Sequence, residues 1–399
     1  MCLRSRENLY ATTKLTGGIK RCLNLGSYNY LGFAAKDEYC TPKVVSAVQK
    51  HGWTTCSSRM EAGTSEVHTH LEAFVASYLG KPAALCWGMG FATNTTVLPS
   101  LVGKGCLVVS DQLNHRSIAS GVKLSGAKVK VFLHNDMIQL EKILRDSIIQ
   151  GQPRTGRPWK KILIVVEGIY SMEGDMPVFR KIVELKKKYN CYLYLDEAHS
   201  IGALGKTGRG LCEHVGVDTK DVDILMGTFT KSFGSCGGYI ASSKEVIEHL
   251  RSTSAGFLYA TSISVPAAQQ IVSSLEIISG VDGSDRGATK IQQLKDNANY
   301  LRARLKEGGI IVLGAKDSPI LPLMLYQPAK LPAFSRMLLE HGVAVVVVGF
   351  PATPLLLARA RLCISAAHTK ADMDYAAKIL IKATNMVSAC YLPPVGHIT

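Results

Sequence analysis

The 399-residue sequence has no CxxC motif and no long uninterrupted apolar run. Its 11 cysteines are scattered, which argues against a zinc site or a disulfide framework and favours a reducing compartment. The longest apolar run, residues 343–358, is interrupted by Gly349, Pro351 and Pro354, so it is too broken to span a bilayer. No apolar segment follows the charged residues near Met1, so we expect no signal peptide.

Acidic residues are also few, since 46 lysines and arginines stand against 31 acidic residues and give a net charge of +15. This excess suits anionic ligands such as phosphorylated cofactors, acyl-CoA, an anionic membrane surface or nucleic acid. No aromatic residues are interleaved with the basic clusters, so we expect no nucleic-acid partner. With 47% apolar and 19% charged residues, the composition is typical of a globular enzyme with a large core.

Predicted strands alternate with predicted helices through the first two thirds of the chain, which indicates a mostly parallel sheet covered by helices on both faces. The expected strands are 107–110, 129–133, 162–166, 192–195 and 224–226. Four of them run into a polar residue at the carboxyl end, namely Asp111, Glu167, Asp196 and Thr228. Because open α/β sheets bind ligands at this edge, the four residues predict a site there.

The domain prediction has three parts. An N-terminal arm covers residues 1–40, a large α/β domain 41–283, and a smaller C-terminal α+β domain 284–399. The second boundary rests on residues 279–287, which are rich in glycine, serine and aspartate. Strand candidates in the small domain are 320–326, 343–348 and 361–365. Arg361 opens the last of these, which we expect to alternate between its two faces, and is either a surface arginine or a clamp for a carboxylate.

Lys231 follows a buried strand and is surrounded by small residues in the segment GTFTKSFGSCGG, residues 227–238. Lysine is rarely buried without a chemical partner, and its amine forms Schiff bases with carbonyl groups such as that of pyridoxal phosphate. A surface lysine on a glycine-rich turn is the alternative. Asp196 is expected to start buried, where a pyridinium nitrogen would be a suitable partner. It could instead pair with an arginine or cap a helix.

Other residues near this edge have weaker signals. Gly88 and Gly90 precede a helix that starts near Phe91, an arrangement that suits a phosphate. His115 and His199 each follow a strand end, although a structural histidine is the default for either one alone. A metal site is not expected.

An NTPase is the rival interpretation of the same region, because Asp196-Glu197-Ala198-His199 is followed by Gly205-Lys206-Thr207. However, Ser200 stands where a phosphate-binding loop needs its first glycine, and such a loop normally precedes the acidic segment.

The chain resembles the α-oxoamine synthases, which are pyridoxal-phosphate enzymes with the aspartate-aminotransferase-like fold (fold type I). The segments GTFTKSFG (227–234), VEGIYSMEG (166–174) and GFPATP (349–354) carry this resemblance, which extends from Leu25 to about Thr369. It implies that Lys231 forms the Schiff base, Asp196 pairs with the pyridine nitrogen, and His199 contacts the ring hydroxyl. It further implies that His115 stacks on the ring, that Ser171 contacts ring or substrate, and that Arg361 and Asn29 bind substrate. Gly90, Phe91 and Thr228 match phosphate-binding positions, and Thr261 and Ser262 are expected to reach the phosphate across a dimer interface.

The resemblance is strongest to the branch that makes long-chain bases. It implies condensation of L-serine with palmitoyl-CoA, loss of CO2 and formation of 3-ketosphinganine. The implied assembly is a heterodimer with the lysine-lacking long-chain-base subunit 1 at the cytosolic face of the endoplasmic reticulum membrane. Family members carry an N-terminal membrane-associating region that this sequence does not show, so membrane association is expected through the partner or through such a segment. A non-catalytic scaffold subunit, or an α-oxoamine synthase for another amino acid, are the alternatives.

Overall fold

A seven-stranded sheet organises Asn29–Lys295, one of two units into which the chain divides. The other unit comprises the residues up to 28 and from 296 onward. The computed structural model describes residues 2–5 and 14–393, with side chains from residue 20 onward. The domain boundaries expected at residues 40 and 283 stay a prediction.

The strands and helices follow one another in chain order. The strands are β1 (Cys2–Ser5), β2 (Lys14–Ile19), β3 (Leu23–Asn24), β4 (Ala83–Trp87), β5 (Leu107–Asp111), β6 (Lys128–Phe132), β7 (Ile162–Glu167), β8 (Tyr192–Asp196), β9 (Ile224–Thr228), β10 (Gly238–Ser242), β11 (Ile320–Tyr326), β12 (Val343–Ala344), β13 (Val346–Val348) and β14 (Ala358–Cys363). The α-helices are α1 (Cys40–His51), α2 (Glu66–Leu79), α3 (Gly90–Leu101), α4 (Arg116–Ser125), α5 (Met137–Gln150), α6 (Phe179–Lys188), α7 (Leu211–Val215), α8 (Lys244–Thr253), α9 (Ala255–Leu258), α10 (Val265–Ser279), α11 (Arg286–Glu307), α12 (Lys330–Glu340) and α13 (Lys370–Met386).

The large sheet has the strand order β4-β10-β9-β8-β7-β5-β6. The strands from β9 to β6 are parallel, which confirms the predicted mostly parallel sheet. Strand β10 is antiparallel to both of its neighbours and was not predicted. Only residues 229–237 join it to β9, too few for the crossover helix that a parallel pair needs.

The strand order reverses around β5, which pairs with β6 on one side and β7 on the other. A cleft forms outside the carboxyl ends of the strands at such a reversal point. Helices α3 and α4 pack on the sheet through buried apolar residues, among them Val97, Leu98, Ile118 and Val122. The core therefore anchors the first turns of both helices beside the cleft.

In the other unit, β11, β14 and β13 form an antiparallel sheet, and β12 pairs in parallel with β3. The strand predicted at 361–365 was placed too late, because β14 covers Ala358–Cys363 and Arg361 lies inside it. Its residues are all buried, so the expected alternation does not occur. The strand is the middle one of its sheet, and the Arg361 guanidinium lies 4.6 Å from the centre of the Tyr28 ring. Within the described residues, no helix combines the length and apolar character that a membrane crossing requires.

Candidate active site

Seven of the predicted site residues line one cavity of about 240 Å³ at the carboxyl edge of the large sheet. They are Gly90, Phe91, His115, Asp196, His199, Thr228 and Lys231. They come from α3, the start of α4, the ends of β8 and β9, and the loops that follow these strands. The sheet therefore collects residues that are up to 141 positions apart, from Gly90 to Lys231.

Asp196 ends β8 and is 3% exposed. Its Oδ2 accepts a hydrogen bond from Asn94 Nδ2 at 2.8 Å, and its Oδ1 accepts one from the Ala198 backbone N–H at 2.9 Å. Burying a carboxylate is costly unless donors stabilise the charged form. The two donors hold the carboxylate at the cavity wall, where it can bind a cationic ligand atom.

Lys231 lies in the loop of residues 229–237 between β9 and β10. The Phe229 backbone N–H and the Thr228 hydroxyl both donate to the Gly237 carbonyl, at 3.0 and 2.9 Å, and so close the loop on itself. The buried rings of Phe229 and Phe233 pack edge to face beneath the loop, with centroids 5.6 Å apart. These contacts fix the backbone at Lys231, whose side chain lines the cavity.

His115 is the residue before the first turn of α4, and its Nδ1 accepts from the Ser117 backbone N–H at 3.2 Å. Burial lowers the pKa of His115; Asp196 opposes this shift, whereas the charge of Lys231 adds to it. A neutral imidazole therefore stands beside the lysine. The Phe91 ring meets the His115 ring edge to face at a centroid distance of 6.2 Å.

The first turn of α3 points backbone N–H groups toward the cavity. The residue before the helix, Met89, supplies no side-chain cap, so these donors are available to an anion. A Cβ added at Gly90 would lie 2.6 Å from Thr228 Oγ1. Glycine thus lets the helix end approach the Thr228 hydroxyl, which is also 2.9 Å from the Thr230 hydroxyl.

Glu167 ends β7 next to Asp196, its register partner on β8, and also lines the cavity. Burial, reinforced by the charge of Asp196, raises the pKa of Glu167 well above its ordinary value. The His115 backbone N–H donates to Glu167 Oε1. Of these two neighbouring carboxyl groups, Glu167 is therefore the one whose surroundings favour the protonated form.

Sequence reasoning missed several residues in and around this cavity. Tyr30 is fully buried and its hydroxyl lies 2.8 Å from His199 Nδ1. Asn94 and Ser117 line the cavity and bond each other at 2.9 Å. Asn94 stands one helical turn after Gly90, so helix periodicity was the available signal.

The remaining predicted residues do not line this cavity. Ser171 lies in the turn after β7, and Asn29 Oδ1 accepts from the Ala34 backbone N–H at 3.2 Å. Thr261 bridges to Ser58, and the Ser262 hydroxyl bonds Thr55 at 2.9 Å. Arg361 belongs to the other unit. Their predicted roles stay predictions.

The NTPase interpretation does not fit the segment that suggested it. The Glu213 carboxylate fills the loop around Lys206, accepting from the Thr207 backbone N–H at 3.1 Å and its hydroxyl at 2.9 Å. An acidic side chain there would repel a phosphate. Helix α7, which follows the loop, has only 5 residues.

The charged cluster of His134, Asp111 and Asp175 predicts a pH-dependent contribution to the free energy of unfolding. His134 Nδ1 lies 2.9 Å from Asp111 Oδ2 and its Nε2 lies 3.5 Å from Asp175 Oδ2. Burial opposes protonation, but these two bonds outweigh it and raise the pKa of His134 to about 9. The stabilisation is therefore complete below the unfolded pKa of about 6.5 and is lost as pH rises through about 9.

We expect His134→Gln to lower the free energy of unfolding by about 1–3 kcal/mol near pH 6 and by much less near pH 10. Urea denaturation at both pH values measures this difference. The control is His249→Gln, since His249 is exposed and its side chain bonds the Ser100 carbonyl rather than a carboxylate. An equal loss at both pH values for His134→Gln would contradict the prediction.

Comparisons with known proteins agree on one family. The model of aminotransferase class I and II matches residues 20–380. The chain is 58% identical over 382 residues to long chain base biosynthesis protein 2b of Arabidopsis thaliana, covering 96% of this chain and 78% of that protein. It is 53% identical over 386 residues to serine palmitoyltransferase 2 of Dictyostelium discoideum, covering 96% and 79%.

The fold agrees with a solved structure of SPT with a PLP internal aldimine, at a TM-score of 0.86 and 28% identity over 97% of this chain and 93% of that one. The chain therefore belongs to the aminotransferase class I and II family, in its group of long-chain-base proteins and serine palmitoyltransferases.

Proposed function

We infer that this chain is the catalytic subunit of a serine palmitoyltransferase. It condenses L-serine with palmitoyl-CoA, with release of CO2 and coenzyme A, to give 3-ketosphinganine, the first step of long-chain-base synthesis. The observation that carries this proposal is the shared cavity of Lys231, Asp196 and His115. The Arabidopsis and Dictyostelium relatives support it by their similarity over nearly the whole chain.

The cavity residues fit pyridoxal phosphate. An amine for the aldehyde, a buried carboxylate for the ring nitrogen and an uncapped helix end for the phosphate face one space. Lys231 would hold the aldehyde, Asp196 the ring nitrogen, and His199 the ring hydroxyl. The first turn of α3 with Gly90, Phe91 and Thr228 would hold the phosphate.

When bound, the cofactor supplies an electron sink for the carbanion formed at the serine α-carbon. The protein supplies orientation and proton transfer. Lys231 Nζ takes the α-proton of L-serine, since an amine released from its covalent bond is a base within the same cavity. His115, whose pKa is lowered by burial, would be a neutral ring beside the cofactor, and Asp196 would hold the ring nitrogen.

Residues outside the cavity are assigned by the family resemblance. We place Arg361 as the clamp for the serine carboxylate, because a guanidinium can bind it through two parallel hydrogen bonds. Asn29 and Ser171 are assigned to substrate binding, and Thr261 and Ser262 to a phosphate contact across the dimer interface.

We propose that the partner is the lysine-lacking long-chain-base subunit 1. Some large apolar side chains are exposed, among them Met89, which lines the cavity and is 60% exposed. Trp53 and Tyr259 are also exposed. Exposed apolar surface beside a site is typical of an interface. We place the complex at the cytosolic face of the endoplasmic reticulum membrane, because palmitoyl-CoA and the product both carry long acyl chains that favour lipid.

The decisive experiment is to co-express the chain with its partner subunit and supply labelled L-serine with palmitoyl-CoA. We expect labelled 3-ketosphinganine and a change in the cofactor absorption spectrum when L-serine is added. Product from glycine or L-alanine in preference to L-serine would indicate a different α-oxoamine synthase. Cofactor binding without product from any amino acid would indicate a scaffold subunit.

The assignment of the cofactor phosphate to the first turn of α3 can be tested with a substitution at Gly90. Gly90→Ala places a methyl group 2.6 Å from Thr228 Oγ1, so either the helix end or the Thr228 side chain must shift, and both are assigned to the phosphate. We expect pyridoxal phosphate to bind about tenfold or more weakly, the equivalent of at least one hydrogen bond to a charged group. Equilibrium dialysis measures the affinity, and Gly103→Ala is the control because its φ lies outside the left-handed region and a Cβ there meets only the Ser125 carbonyl oxygen, at 3.7 Å. An unchanged affinity for Gly90→Ala would place the phosphate elsewhere.

A further inference from the structure

A buried chain of hydrogen bonds connects Asp196 to His115. Asn94 Nδ2 donates to Asp196 Oδ2 at 2.8 Å and to Ser117 Oγ at 2.9 Å. Ser117 Oγ lies 2.8 Å from His115 Nδ1. The Tyr194 hydroxyl donates to Asn94 Oδ1 at 2.6 Å. Asn94, Ser117 and Tyr194 are each at most 2% exposed, so water does not compete for these bonds.

The position of every proton in this chain follows from Asp196. An ionised carboxylate only accepts, so the NH2 group of Asn94 must face it. The carbonyl oxygen of Asn94 then faces Tyr194, whose hydroxyl stays protonated because burial, followed by the charge of Asp196, raises its pKa well above the ordinary value. The second N–H of Asn94 is donated to Ser117 Oγ. The Ser117 hydroxyl therefore points its own proton away from Asn94.

His115 Nδ1 is the acceptor of that proton. The same nitrogen also accepts from the Ser117 backbone N–H at 3.2 Å. A proton on Nδ1 would face both of these donors, so the neutral ring carries its proton on Nε2.

We propose that Asn94 and Ser117 are positioning residues, which together lock His115 as the Nε2–H tautomer and link that tautomer to the Asp196 carboxylate. The consequence for catalysis rests on the proposed function, in which His115 and Asp196 both contact the cofactor. His115 and Asp196 thereby act as one unit. The amide group of Asn94 bonds both the Asp196 carboxylate and Ser117, and Ser117 sets the tautomer of His115.

Nitrogen NMR of the cofactor-free protein labelled with 15N-histidine tests the lock without requiring activity. His115→Gln identifies the His115 signals among the 11 histidines. We expect wild type to show the Nε2–H tautomer. Ser117→Ala removes the hydroxyl donor and is expected to lower the ratio of Nε2–H to Nδ1–H about tenfold, whereas Ser117→Thr keeps a hydroxyl and the wild-type ratio.

Asn94→Ala should lower the same ratio and also weaken pyridoxal phosphate binding about tenfold or more, because Asp196 loses a donor. If Asn94 and Ser117 had a purely structural role, their variants would lower the midpoint temperature of unfolding and leave the His115 tautomer unchanged. The proposal is overturned if Ser117→Ala keeps the wild-type ratio, a result that stands even if Asn94→Ala does not fold. Failure of the wild type to make 3-ketosphinganine would instead overturn the proposed function and leave the tautomer result standing.

Discussion

Replacing Lys231 by alanine is expected to reduce product formation by about 10²–10⁴-fold or more, the range that a positioned proton-transfer group contributes. The variant also loses the covalent link, so the cofactor should bind without a borohydride-reducible band on the peptide of residues 227–238. Steady-state assays with labelled L-serine and mass spectrometry of the reduced, digested protein measure both effects.

The matched control is Lys206→Ala, which removes an exposed lysine in the Glu213-filled loop. It should keep wild-type activity and the wild-type absorption band. If borohydride still attached the cofactor to the residue 227–238 peptide in Lys231→Ala, another group would be the Schiff-base partner. That result would remove the basis of the proposed function.

Asp196→Asn is expected to lower kcat by about 10²–10⁴-fold, since removing one partner of a buried charge pair typically costs about 3–5 kcal/mol. An asparagine also presents an N–H group where the ring nitrogen needs an acceptor, and it disturbs the bond from Asn94 Nδ2 at 2.8 Å. The absorption spectrum and the cofactor affinity should both change, because the ring nitrogen loses its counter-charge.

Asp196→Glu provides the comparison, because it keeps the charge but moves it by one methylene group. We expect a smaller loss than for Asp196→Asn, together with retained cofactor binding. Equal losses for the two variants would show that the position of the carboxylate matters as much as its charge at residue 196. Wild-type activity in Asp196→Asn would contradict its role toward the ring nitrogen.

Strand positions and their polar ends were predictable from local sequence. Runs such as Ile162–Glu167 and Tyr192–Asp196 are apolar, short and followed by turn residues, so hydrophobic pattern alone locates them. Parallel pairing then brings their carboxyl ends to one edge, which is why Glu167 and Asp196 could be grouped without coordinates. The roles of Lys231 and His115 came from long motifs shared with a known family.

Pattern reasoning failed where a neighbour in space decides the outcome. Strand β10 starts in a glycine-rich run that was interpreted as a loop, and its pairing with β4 and β9 makes it a strand. Strand β14 is buried on both faces, so the alternation expected around Arg361 has no physical basis there.

By itself, the sequence determined the class of the sheet, the edge that carries the chemistry and the lysine at its centre, because each depends on residues close together in the chain. Only the tertiary structure decided that Asn94, Ser117 and Tyr194 join Asp196 to His115. Such a network depends on distances between side chains from α3, α4 and β8, and hydrophobic periodicity says nothing about which buried polar atoms meet.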